Sequence, residues 1–129
     1  MRKLTTNDKA DERERITLAE AEAMVPTPDG KRSAALFEHG TLQVKLYAPR
    51  GTDPQQPHTR DEVYVVARGG GWFVNGAHRH PIAVPDVLFV KAGVVHRFEE
   101  FSDDFLVWVF FYGPEGGEAD ASCDAEGAH

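Results

Sequence analysis

Three side chains in this 129-residue chain have types suited to holding a metal ion: His58, Glu62 and His96. Two imidazoles and one carboxylate form a donor set that suits Fe(II), Mn(II), Zn(II), Ni(II) or Co(II) in a site with open positions. Gln56, His58 and Glu62 share parity where a Pro-rich loop enters the segment EVYVVAR at 62–68. Residues of equal parity on an extended chain point to one side, so these three could aim at one point. His96 follows a Gly-x-x-His turn and opens a separate strand, from which it could approach across a neighbouring wall. A His-x-x-x-Glu spacing by itself occurs often by chance, and His58 taken alone reads more simply as a solvated loop histidine.

The remaining candidates carry less chemistry. His78 and His80 share parity but follow a hairpin turn beside Pro81, where they face solvent or the far end of a barrel. His39 sits beside Gly40 at a turn and His129 ends the chain, so neither suits a ligand. Cys123 has no partner, which excludes an intrachain disulfide and a cysteine-based metal site. Tyr64 and Val66 share the parity of Glu62, and Phe98 that of His96. An aromatic wall with a few polar groups suits a small organic ligand, although each such residue is more simply core. Arg60, near the expected mouth, could pair with a carboxylate substrate, a solvated arginine being the simpler reading. No residue stands out as a general base; Tyr64 and Glu100 are the candidates.

The elements that must position these groups are mostly strands. Thr17 and Glu20 form a capping-box pattern ahead of a short helix over 18–24, stopped by Pro26. In 35–47, Leu42, Val44 and Leu46 alternate with Gln43, Lys45 and Tyr47, the period of a half-buried strand. Segment 62–68 is β-branched and aromatic, and Gly69-Gly70-Gly71 breaks or bulges it. Asn75-Gly76 predicts a type I′ hairpin with those two residues at its centre. Short strands follow at 87–90 and 96–99, with turns at Gly93 and at Ser102-Asp103-Asp104. The run FLVWVFFY at 105–112 reads as a strand covered on both faces, or one shared between the barrel and an oligomer contact. Either Phe105, Val107, Val109 and Phe111 or Leu106, Trp108, Phe110 and Tyr112 line its interior, and the pattern does not choose.

Composition sets the outer limits. Hydrophobic residues make up 41% and charged residues 27%, an ordinary globular balance, with a net charge of −7. Residues 1–15 carry five basic and four acidic side chains, and 113–129 carry five acids with no Lys or Arg. Charge of this sign does not favour a nucleic-acid partner. No stretch approaches the ~20 apolar residues of a membrane span. The N-terminus has no apolar run behind its charges, so it is not read as a secretory signal, and a cytoplasmic location is expected. The expected organisation is a flexible tail over 1–15, one β domain over 16–113, and a flexible acidic tail over 114–129.

Taken in order, these residues resemble the two motifs of the cupin superfamily, specifically the small single-domain, cupin-2 type conserved β-barrels. Gly51 precedes Gln56-Pro57-His58; three residues separate His58 from Glu62, and six separate Glu62 from Gly69. Pro85-Asp86 opens the second motif and Lys91-Ala92-Gly93-Val94-Val95-His96 closes it, with Asp86, Gly93 and His96 correctly spaced. The resemblance spans about residues 34–112. Gln56 replaces the first motif's leading histidine; Pro85, Lys91 and Glu100 replace a glycine, a proline and an asparagine of the second.

The resemblance implies an all-β cupin double-stranded β-helix, a jelly-roll barrel, with a short N-terminal helix. It implies one divalent transition metal (Fe, Mn, Zn, Ni or Co) on His58, Glu62 and His96. Gln56 then serves either as a weak further ligand or as a hydrogen-bond partner of a bound water. The implied function is that of a metal-dependent enzyme of dioxygenase, isomerase or lyase type acting on a small metabolite. The alternative is a non-catalytic module that binds or senses a small ligand, with a degenerate metal site. Expected partners are a small-molecule ligand and a second copy of the chain, a homodimer burying 105–112, with no nucleic acid and no membrane.

Overall fold

The computed structural model describes residues 14–119; Cys123, His129 and most of both expected tails lie outside them. The described residues form one short helix, α1 (Leu18–Glu22), and eight strands. Five strands build one sheet in the order β1 (Ser33–His39), β2 (Leu42–Tyr47), β8 (Leu106–Tyr112), β3 (Asp61–Arg68), β6 (Val87–Val90). Three more build a second sheet in the order β5 (His78–Ala83), β4 (Gly70–Asn75), β7 (His96–Glu99). All paired strands are antiparallel. This is the expected all-β architecture, with the site between the sheets.

The capping box predicted from Thr17 and Glu20 is formed: the Thr17 hydroxyl accepts from the Glu20 N–H, and the Glu20 carboxylate accepts from the Thr17 N–H. Five residues cannot sustain a helix alone, so packing must hold it. Ala21 supplies that packing, fully buried with Val44, Leu46 and Leu106. The helix ends two residues before the expected 24.

Segment 35–47 divides at Gly40, whose φ of +58° makes the turn between β1 and β2. The β4–β5 hairpin is present, with a shift of one residue. Asn75 pairs with His78, so Gly76 and Ala77 occupy the loop, and φ is positive at Gly76 alone (+60°). A positive φ confined to the first central position is the type II′ pattern, not the predicted I′.

Strand β8 lies between β2 and β3, which explains its unbroken apolar run. Phe105, Val107, Val109 and Phe111 enter the core between the sheets with Tyr64, Val66, Phe73 and Phe98. Leu106, Trp108 and Phe110 turn the other way, toward Val44, Leu46 and α1. Both faces are thus packed against other parts of the chain, with Trp108, Phe110 and Tyr112 only partly buried. On β2, Val44 and Leu46 pack toward the helix, so Lys45 and Tyr47 face the space between the sheets.

Buried polar groups close the barrel around the site. Asp61 is 4% exposed, and its two carboxylate oxygens accept from the backbone N–H of Ala92 and of Glu118, each at 2.9 Å. Gly93 N–H donates to the His58 carbonyl at 2.7 Å, and Gly116 N–H to that of Thr59 at 2.6 Å. Residues 114–118, expected as part of a loose tail, are therefore attached by backbone hydrogen bonds where their composition offers no apolar burial. Asp61→Ala strands two N–H donors and should lower the unfolding free energy by about 1–3 kcal/mol. A denaturant melt at neutral pH with an unchanged midpoint would show that this clasp carries no stability.

Candidate metal centre

Glu62 lies on β3 of the five-stranded sheet, paired with Val90 of the edge strand β6 on one side and Phe111 of β8 on the other. His96 opens β7 on the opposite sheet, paired with Asn75. His58 lies on the loop before β3. The donor atoms of the three lie within 4.8 Å of one another. Glu62 Oε1 is 3.1 Å from His96 Nε2 and 3.8 Å from His58 Nε2. Ligand atoms about 2.0–2.2 Å from one ion are about 3 Å apart when at right angles, so these spacings suit a shared cation.

The protonation pattern makes that fit specific. His96 Nδ1 lies 2.8 Å from the Val94 carbonyl, which only accepts, so Nδ1 carries the proton and Nε2 presents a lone pair. That lone pair faces a carboxylate oxygen, and neither atom has a hydrogen-bond partner although both are buried. Glu62 and His96 are 1% and 2% exposed. Two facing acceptors in a dry site repel unless a cation or an extra proton lies between them. The donor chemistry and the orphaned pair therefore fit a divalent ion.

The histidine pKa values reflect this environment. Burial pulls the His58 value down, and the nearby Glu62 charge only partly offsets it, so the net direction is downward. Burial also pulls on His96, but Glu62 and the Val94 carbonyl outweigh it, and the net direction is upward.

A second layer of polar groups holds the cluster. Asp53, buried at 9% exposure, accepts from the Tyr47 hydroxyl, from Gln55 Nε2 at 2.7 Å and from the Phe98 N–H at 2.8 Å. With its amide nitrogen so engaged, Gln55 turns Oε1 toward the site, where it accepts from the Tyr64 hydroxyl at 2.8 Å and stands 3.4 Å from His58 Nε2. Phe111 packs edge-on against the His58 ring, with centroids 4.7 Å apart.

The structure brings His58, Glu62 and His96 together and leaves Gln56 out. Gln56 is exposed, and the amide beside His58 belongs to Gln55. Residues 53–58 are not extended as a strand, so the parity argument that grouped Gln56 with His58 does not apply there. Tyr64 is fully buried, and burial followed by the Glu62 charge raises its phenol well above the usual value. It is a donor at neutral pH rather than a base. Glu100 is exposed and paired with Arg79 at 2.9 Å, outside the cavity. His39, His78 and His80 are exposed as expected.

A cavity of about 190 Å³ opens beside the cluster, lined among others by Lys45, Tyr47, Gln55, His58, Glu62 and Phe111. Lys45, Tyr47, Asp53 and Gln55 were not legible as site residues. The alternation on β2 offered a signal for the first two, but it reads equally well with that face in solvent.

No family model matches the chain. It is 39% identical over 100 residues to an uncharacterized protein of Streptomyces coelicolor, covering 76% of this chain and 94% of the relative. A cupin superfamily protein from Desulfitobacterium hafniense superposes with a TM-score of 0.61 at 18% identity, covering 82% of this chain and 97% of that one. The DMSP lyase DddQ from Ruegeria pomeroyi superposes with a TM-score of 0.57 at 20% identity, over 77% of this chain and 55% of that one. The chain thus spans about half of DddQ, and at these identities the two structures speak for the fold.

In metal-free protein, NMR should resolve two histidine titrations at the site, His96 above and His58 below the usual value near 6.5. The His96 contribution to stability is fully present below that usual value and is lost as pH rises through the raised one. His58 has the opposite sign: its burial costs stability as pH falls through the usual value, because the unfolded chain then takes up the proton more readily. Coincident, unshifted titrations would contradict the facing-acceptor geometry.

Proposed function

We propose that the chain, which has the fold of the small single-domain cupins, is a metal-dependent enzyme acting on a small metabolite, with one divalent transition ion on His58, Glu62 and His96. The observation that carries this reading is the unpartnered pair Glu62 Oε1 and His96 Nε2, buried and 3.1 Å apart. A divalent ion bound there supplies Lewis acidity toward a substrate oxygen. The protein's own groups set the conditions for that chemistry. The Val94 carbonyl fixes the His96 tautomer, Asp53 fixes the Gln55 amide, and Phe111 braces the His58 ring. The His58 side chain is 33% exposed, so the cluster's open side gives onto the cavity. The fold likeness to DddQ, a lyase, supports elimination chemistry as one of the reaction types to test beside isomerisation and dioxygenation.

One observation favours a second reading, a module that binds or senses a small ligand without turnover. Tyr47 and Tyr64 are held protonated, by burial first and by neighbouring acids second, and each hydroxyl already donates to Asp53 or Gln55. The cavity then offers no free proton acceptor among the described residues apart from the proposed ligands.

Chelator-stripped protein titrated with Fe(II), Mn(II), Zn(II), Ni(II) and Co(II) should take up one equivalent and melt at higher temperature. At a hundredfold excess over Kd the gain is about 2.7 kcal/mol. Glu62→Gln replaces the repelling oxygen by an amide that can donate to His96 Nε2. It should leave the metal-free fold at least as stable while abolishing the metal-induced shift. If no ion raises the wild-type melting temperature, or Glu62→Gln responds like wild type, the metal reading fails. Metal-loaded protein that binds diols or keto acids without converting them would select the binding module.

A further inference from the structure

The cavity beside the cluster adjoins a second one of about 260 Å³, and Lys45, His58 and Phe111 line both. The linings differ in charge. The inner cavity contains Glu62 as its sole acid, and that carboxylate faces the histidines. The outer cavity is lined by Gln43, Lys45, His58, Thr59, Arg60 and Phe111, with two cations and, among the described residues, no acid.

Both cations are placed by the fold rather than left free in solvent. Lys45 is half-buried on β2, where the packing of Val44 and Leu46 toward α1 obliges it to face the cavities. Among the described residues it has no ion-pair or hydrogen-bond partner. Arg60 is also half-buried. It donates from Nη1 to the Thr41 carbonyl, and its guanidinium lies 5.9 Å from the Phe111 ring centroid. That single anchor leaves its remaining N–H groups without a protein acceptor among the described residues. Half-burying a lysine costs side-chain freedom and hydration, and no carboxylate among the described residues pairs with it to offset that cost.

We propose that the ligand is a small anion whose charged end, carboxylate or phosphate, sits in the outer cavity between Lys45 and Arg60 while its other end reaches the His58–Glu62–His96 cluster. Charge-assisted N–H···O bonds from an ammonium and a guanidinium recognise such an oxyanion. A ligand of this kind has a metal-binding head and an anionic tail. Lys45 and Arg60 are specificity residues, touching the tail rather than the reacting atoms.

The inference rests on the metal-site reading for the head and on the outer cavity alone for the tail, and the test separates the two. Calorimetry on metal-loaded protein compares three probes with one head: lactate, without a tail; malate, with a carboxylate tail; and 3-phosphoglycerate, with a phosphate tail. At least one tailed probe should bind more tightly than lactate by roughly 10- to 100-fold, the better one naming the tail. Lys45→Met should erase that advantage while leaving the metal-induced melting shift intact, which also shows that the variant is folded. Lys45→Arg should restore it. Equal affinity of lactate and both tailed probes in wild type, or a Lys45→Met variant that keeps the preference, would overturn the proposal. Wild-type protein that takes up no metal would refute the metal reading alone. The tail would then be judged by malate and 3-phosphoglycerate binding to metal-free wild type against Lys45→Met, equal binding overturning it.

Discussion

Two acceptor atoms face each other in a dry space between two sheets, and the surrounding structure serves to keep them there. Glu62 comes from β3 of the larger sheet and His96 from the start of β7 on the smaller one. A buried polar atom without a partner costs about 1–3 kcal/mol. A fold selected for stability alone would turn one of these side chains away or give it a donor. Instead the Val94 carbonyl takes the His96 Nδ1 proton, which commits the lone pair on Nε2 to the shared space. With neither a cation nor an extra proton between them the pair is a local destabilisation, and an ion held there would couple its binding to the joining of the two sheets.

That destabilisation is tolerable because the groups around it are satisfied. Asp53 collects donors from β2, from the loop before β3 and from β7, through Tyr47, Gln55 and Phe98. Asp61 does the same for the loop carrying Ala92 and for the chain beyond β8. Buried carboxylates are costly when isolated, and each here is surrounded by hydrogen-bond donors. Between them the aromatic rings of Tyr64, Phe98 and Phe105 pack edge to face, with neighbouring centroids 4.9 Å apart. Beneath the site the core is apolar, and among the described residues the buried side-chain polar atoms without a partner are Glu62 Oε1 and His96 Nε2.

The same division explains what could be read from residues alone. The helix cap, the strands after residue 60 and the three ligand candidates depend on short-range patterns: Thr17 with Glu20, the β-branched run of β3, the spacing of Gly93 to His96. Gln55 and Asp53 escaped because their roles arise in a loop without period, where a one-residue shift in direction exchanges Gln56 for Gln55. The face of β8 was ambiguous because both of its faces are apolar and both are covered. Lys45 was missed for a related reason. Alternation shows that a strand has two faces, and it does not show that the polar one is turned inward.

On β2 the usual arrangement is reversed: its apolar side packs under α1 and its polar side lines the cavities. The short helix is what makes this arrangement hold, since without Ala21 and its neighbours Val44 and Leu46 would lie open to water. The consequence is a cationic mouth on a chain of net charge −7. At physiological ionic strength, charges more than about 8 Å apart in solvent are largely screened. The distant acids therefore do little to repel an anion, and nothing in the overall charge attracts one. Recognition at this mouth must come from Lys45 and Arg60 at contact distance, so it depends on the half-burial that β2 and the Phe111 ring impose on them. The packing of α1 and the polarity of the site are thus two ends of one strand's orientation.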